Sequence, residues 1–153
     1  MQKQNTTITA QSRALKLLSR KEYSVYELTQ KLRPFYPYQE IEDAVSFCIE
    51  NNWVSDTRVA ESYLRTRYFA GYGLKRIILE LKQKRVAELD IQQAISESNL
   101  DWQASIDRWY MRLKIFDAES VRKFQMMLLR KGFSAAEIKR GYPKRKEQEM
   151  VDN

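Results

Sequence analysis

Eight basic side chains, Arg58, Arg65, Arg67, Lys75, Arg76, Lys82, Lys84 and Arg85, fall between Ser55 and Val86, where only Asp56, Glu61 and Glu80 oppose them. The local excess is +5, against +7 for all 153 residues, so about a fifth of the chain carries most of the net charge. A positive field concentrated in this way attracts polyanions or acidic protein surfaces. The competing reading is a solvated helix face, which accounts for most charge runs. The shortage of acidic neighbours argues against it for the cluster as a whole. Tyr63, Tyr68, Phe69 and Tyr72 interleave with the cations. Rings beside arginines can stack on single-stranded bases, but they also fill the space between helices. The pattern assigns Tyr63 to the core. Phe69 and Tyr72 stand beside a glycine turn, where burial and exposure suit the sequence equally.

The residues that are missing narrow the chemistry further. There is no histidine and one cysteine, Cys48. An intramolecular disulfide is impossible, and so is a structural zinc site built from about four Cys and His ligands. Histidine general-base catalysis and the Ser-His-Asp and Cys-His arrangements are also excluded. Cys48 sits among Val45, Phe47 and Ile49 and reads as a small buried hydrophobe. Gly71-Tyr72-Gly73 lacks the spacing of a phosphate loop and follows no strand, so it reads as a turn between helices. Glu40, Glu42 and Asp43 gather at a helix start, where they favour the dipole and need no metal. No catalytic residue, cofactor or metal is expected. No apolar run approaches the roughly 20 residues that span a bilayer, and the polar N-terminus lacks the pattern of a secretory signal. A cytoplasmic, membrane-free monomer is the expectation.

The elements that must position the cluster are helices. Ala14, Leu17 and Leu18 give the first apolar face, from about Ser12. Ser24 and Glu27 form a capping box for a second helix, striped by Val25, Leu28 and Leu32 and ended by Pro34 and Pro37. A third runs from about Gln39 with Ile41, Ala44, Val45, Cys48 and Ile49 inward, and Trp53 packs back on the core. Ser55-Asp56 opens the next unit, with Ala60, Tyr63, Leu64 and Tyr68 inward. Gly71 and Gly73 interrupt it before the stripe Leu74, Ile77, Ile78 and Leu81. Leu89, Ile91, Ala94 and Ile95 form a short helix. From Asp101 the stripe Ile106, Trp109, Tyr110 and Leu113 begins a last unit. Ser120 caps its second helix, Gly132 stops it, and Ser134 caps a final one. Past Pro143 the segment KRKEQEMVDN has charge and no periodicity, which is the composition of disorder.

Three of these helices can be laid over one another. S-V-Y-E-L-T-Q-K-L from Ser24, G-L-K-R-I-I-L-E-L from Gly73 and S-V-R-K-F-Q-M-M-L from Ser120 start 49 and 47 residues apart and keep their apolar positions in register. A period near 48 in three copies is a repeat signature. The expected fold is all-α, an elongated array of three tandem three-helix repeats with about nine helices. Its parts are a flexible N-terminus at 1–10, repeats at 11–54, 55–98 and 99–142, and a charged disordered tail at 143–153. Stacked units of this kind form curved rods with long concave surfaces.

The stretch Ser55–Val86 also resembles the signature of the RecX regulatory proteins. That signature reads roughly D-x-R-F-A-x-x-[YFW]-[VIL]-x-x-R, a turn, then G-x-G-P-x-R-I-x-x-E-L-x-x-[KR]-G-[IV]. Asp56, Arg58, Ala60, Tyr63, Leu64, Arg67, Gly71, Gly73, Arg76, Ile77, Glu80, Leu81, Lys84 and Val86 match it. The segment from Ala14 and the run Leu129 to Phe133 resemble the family's opening and closing units. Val59 stands for the usual Phe, Leu74 for Pro and Arg85 for Gly, the last two altering a helix start and a helix end. The resemblance implies tandem three-helix repeats that lodge in the groove of the filament formed by RecA on single-stranded DNA. It further implies inhibition of filament extension, ATP hydrolysis, strand exchange and co-protease activity. The eight cations are the candidates for contact with RecA or DNA, the single-stranded DNA contact being weak or indirect. The alternative is a helical module that binds single- or double-stranded DNA directly.

Overall fold

The computed structural model describes residues 8–152, and nine helices with no strand make up the described residues. They are α1 (Ala10–Leu18), α2 (Val25–Leu32), α3 (Tyr38–Glu50), α4 (Asp56–Phe69), α5 (Leu74–Gln83), α6 (Glu88–Ser98), α7 (Trp102–Tyr110), α8 (Ala118–Lys131) and α9 (Ala135–Asp152). None of them is long and apolar enough to cross a membrane. The order matches the expected three sets of three. The polar start expected at 1–10 lies outside the described residues up to residue 7. From there, Thr9 caps α1 by accepting from the Ser12 amide, so the helix begins before Ser12.

The chain divides into two compact units, one made of residues 1–61 and 81–94, the other of 62–80 and 95–153. The first unit is built on α1, α2 and α3, which close around Ala14, Leu28, Leu32, Ile41, Val45, Cys48 and Val54. Cys48 is fully buried, as its neighbours implied. The capping box at α2 forms: the Ser24 hydroxyl accepts from the Glu27 amide, and the Glu27 carboxylate accepts from the Ser24 amide. Ser24 also donates to the Lys84 carbonyl at 2.7 Å, and Asp56 at the start of α4 accepts from the Val25 amide at 2.8 Å. The local cap thus also ties α2 to segments far along the chain.

The second unit closes around Ile106, Tyr110, Leu113, Val121, Leu128, Phe133 and Ile138. Its junction with α5 is a contact between two backbones. The Gly73 amide donates to the Lys131 carbonyl at 2.7 Å, and the Lys75 amide to the Gly132 carbonyl at 3.1 Å. A Cβ on Gly73 would lie 2.3 Å from the Gly132 carbonyl carbon, and Gly132 itself adopts φ +102°. Only glycine allows both the approach and the left-handed end of α8.

Five expectations are corrected. Asp117 caps α8 by accepting from the Ser120 amide, so Ser120 lies inside the first turn. Leu89 and Ile49 face outward, and Trp53 is exposed with its edge against Phe47. The segment past Pro143 is helical to Asp152. A proline inside a helix removes one backbone hydrogen bond, but tertiary contacts hold this one. Buried Arg145 donates to the Tyr110 and Leu113 carbonyls at 2.9 and 3.0 Å and pairs with Glu149 at 3.3 Å. A buried guanidinium needs such partners, and the carbonyls of Tyr110, which ends α7, and of Leu113 just beyond it supply two of them.

Candidate functional site

Within the second unit, the last turns of α4 and the first of α5 carry four of the eight predicted cations and bring two of them, Arg67 and Arg76, together. Arg67 is one turn after Tyr63 on α4, and Arg76 is one turn before Glu80 on α5. Arg67 reaches Glu80 at 2.9 Å and Arg76 reaches it at 3.3 Å. The Tyr63 hydroxyl donates to the same carboxylate. Burial works against ionising Glu80, but the Tyr63 hydroxyl and the two guanidiniums outweigh it and hold its carboxyl below the usual value. Burial, then the bond and negative charge of Glu80, push the Tyr63 phenol up to about 12. Arg67 is raised as well, the pull of Glu80 outweighing its burial. One carboxylate is therefore committed to three donors.

The ring of Tyr72, half-buried at the turn between α4 and α5, is the other organiser. The Arg67 guanidinium lies 3.7 Å from its centroid, that of Arg76 4.6 Å, and the Lys131 ammonium 4.8 Å. A cation over a ring contributes about 0.5–1 kcal/mol where solvent has access. That is enough to hold three like charges near each other without adding a second acid. Arg65 and Lys75 are exposed on either side of this group and, among the described residues, carry no ion pair. Around Tyr72 the cations exceed the carboxylates, and the surplus faces solvent.

The other four predicted cations belong to the first unit and are differently placed. Arg58 pairs with Glu22 at 2.8 Å and donates to the Asn52 and Trp53 carbonyls, closing the turn before α4. Lys84 pairs with Glu27 at 2.9 Å. Burial opposes the charge of Glu27, but its hydrogen bonds from the Lys84 ammonium and from the Ser24 amide outweigh that and bring its carboxyl below the ordinary value. Lys82 meets Glu88 at 3.3 Å. Arg85 lies 5.5 Å from the Tyr26 ring and has φ +59°. This is the position where Arg replaces the Gly of the RecX pattern. Left-handed backbone costs a non-glycine residue roughly 1–2 kcal/mol.

The structure adds residues that a count over Ser55–Val86 could not include. Arg108 lies in the last turn of α7 and Arg112 in the turn just after it, and Arg130 and Lys131 end α8. Trp109 donates to the Gly71 carbonyl at 2.8 Å and has the Arg112 guanidinium 4.6 Å and the Lys131 ammonium 5.2 Å from its ring. Arg108 lies 5.4 Å from the Tyr68 ring. Their signal in sequence was the Arg-Trp-Tyr-Met-Arg run at 108–112, which repeats the interleaving of rings and cations seen at 63–72. Tyr68 is buried, its hydroxyl on the Asp101 carbonyl, whereas Phe69 is 72% exposed. The pair flanking the turn therefore splits: Tyr72 is half-buried under cations and Phe69 is open.

A family model described as the RecX first three-helix domain matches residues 10–48, and one described as the RecX second three-helix domain matches residues 55–95. Regulatory protein RecX of Vibrio parahaemolyticus is 36% identical over 141 residues, covering 89% of this chain and 91% of that one. Regulatory protein RecX of Haemophilus influenzae is 44% identical over 88 residues, covering 56% and 58%. Among solved structures, a crystal structure of RecX from Lactobacillus salivarius shares the fold with TM-score 0.77 at 23% identity, covering 90% of this chain and 94% of that one. A crystal structure of regulatory protein RecX does so with TM-score 0.76 at 23% identity, covering 88% and 70%.

Proposed function

Because the chain belongs to the RecX family of regulatory proteins, we propose that it binds the filament of RecA on single-stranded DNA and restrains its extension. ATP hydrolysis, strand exchange and co-protease activity fall as a consequence, and the chain itself carries out no reaction. The observation that supports this reading most is the arrangement around Tyr72. Arg67, Arg76 and Lys131 crowd one ring, while Glu80, the one carboxylate paired with them among the described residues, is already shared between two of them. A field of this sign suits a groove bounded by acidic protein surface and phosphates. The other four candidates, Arg58, Lys82, Lys84 and Arg85, act through the fold of the first unit and contribute less to the contact.

The test is RecA ATP hydrolysis on single-stranded DNA with this protein titrated in. The rate falls as the ratio of protein to RecA rises. A rate unchanged at every ratio rejects the proposal.

A further inference from the structure

Between the end of α4 and α7 lies an open cavity of about 200 Å³, lined by Tyr68, Phe69, Gly71, Arg108, Trp109 and Arg112 among others. We infer that this cavity is a subsite for one nucleotide of a single nucleic-acid strand, its base stacked on Phe69 and its phosphates on Arg108 and Arg112. The inference goes beyond filament regulation and needs no RecA.

Three observations carry it. Phe69 stands nearly perpendicular to the Tyr68 ring, with 5.2 Å between centroids, and it is 72% exposed. An aromatic face beside cations accepts any base, since every base has a π-face. No carboxylate lines the cavity. The nearest acid on the same helix, Asp107, is occupied by Lys144 at 3.0 Å, so nothing cancels the two arginines. Finally, the Trp109 hydrogen bond to the Gly71 carbonyl fixes the floor, and Arg112 already stacks on that ring. The site is therefore preformed. The cavity is smaller than the roughly 300 Å³ at which drug-sized pockets begin, which fits one base and excludes a dinucleotide cofactor. An acidic peptide would satisfy the arginines but leave the open Phe69 face without a partner. A duplex would offer phosphates but keep its bases stacked away.

The experiment is fluorescence anisotropy of the full chain with a labelled oligo-dT and with an abasic strand of equal length. The wild type binds oligo-dT more tightly than the abasic strand. Phe69→Ala weakens oligo-dT binding about thirtyfold, the middle of the range for one stacked base, and leaves the abasic strand unchanged. Phe69→Tyr restores it. The double variant Arg108→Gln/Arg112→Gln weakens both strands and lowers the slope against log salt by about 1.4, two phosphates on a single strand. Circular dichroism confirms the helices in each variant. Three results overturn the inference: equal wild-type affinity for the two strands, equal affinity for duplex and oligo-dT, or displacement of oligo-dT by polyglutamate at the same charge concentration. Because RecA is absent, failure here leaves the ATPase titration untouched, and failure there leaves this result standing.

Discussion

The cations of the two units teach different things. In the first unit Arg58, Lys82 and Lys84 each have a carboxylate of their own, from Glu22, Glu88 and Glu27. In the second unit Glu80 alone serves Arg67 and Arg76, and among the described residues Arg65, Lys75, Arg108, Arg112, Arg130 and Lys131 pair with none. Ion pairs at such exposed positions contribute 0 to about 1 kcal/mol each to stability, so their effect on the fold is small in both places. Their effect on the field is not: a paired charge is mostly cancelled at a distance, and an unpaired one is not. Local charge density therefore points to a stretch of chain, and the placement of carboxylates decides which part of it attracts a partner.

The largest expected effect comes from disturbing the scaffold of the uncancelled charges. Gly73→Ala forces the first turn of α5 off the end of α8 and destabilises the protein by about 3 kcal/mol, the upper range for overpacking, read from urea unfolding. A loss below about 0.5 kcal/mol, the scatter of ordinary surface changes, shows that the backbone contact is not tight. Smaller is the alkaline response that sets the second unit apart. The phenol of Tyr63 is raised to about 12, so the folded state holds its proton longer than the unfolded state. Its contribution is complete below pH 10 and disappears as pH rises towards 12. The difference in urea midpoint between wild type and Tyr63→Phe narrows over that interval, and a constant difference removes the Tyr63–Glu80 contact from the account. Acid does not separate the units. Glu27 and Glu80 both lie below their usual values, so each contributes stability above pH 4.5 that is lost as pH falls through the lowered value. The smallest effect is Arg85→Gly, which relieves the positive φ in the first unit and stabilises by about 1 kcal/mol, less whatever the Tyr26 contact supplies. A destabilisation contradicts the reading of Arg85 as a strained substitute for glycine.

The helices were legible because their signals are local. The Ser24–Glu27 box, the Ser134 cap and the stop at Gly132 occupy a few residues each and all form. The end of the chain was not legible, because what keeps α9 helical past Pro143 is Arg145 on carbonyls 32 and 35 residues away. The start of α8 lies three residues before the expected cap, because the Asp117 carboxylate accepts from the Ser120 amide. The site was half legible for the same reason. Counting found the cations on α4 and α5, but Glu27 lies 57 residues from Lys84 and Glu22 lies 36 from Arg58. No window along the chain could see those cancellations, or the arrival of Arg108 from α7, Arg112 from the turn after it and Lys131 from α8.

The most direct measurement compares two double charge reversals of equal size in the RecA ATPase titration. Arg65→Glu/Lys75→Glu alters the second unit, and Lys82→Glu/Arg85→Glu alters the first. Each lowers the net charge by four, so a partner that senses only total charge loses the same from both. The account predicts at least tenfold weaker inhibition from the first pair and less than twofold from the second. Equal losses, or a larger loss from the Lys82 and Arg85 pair, contradict it.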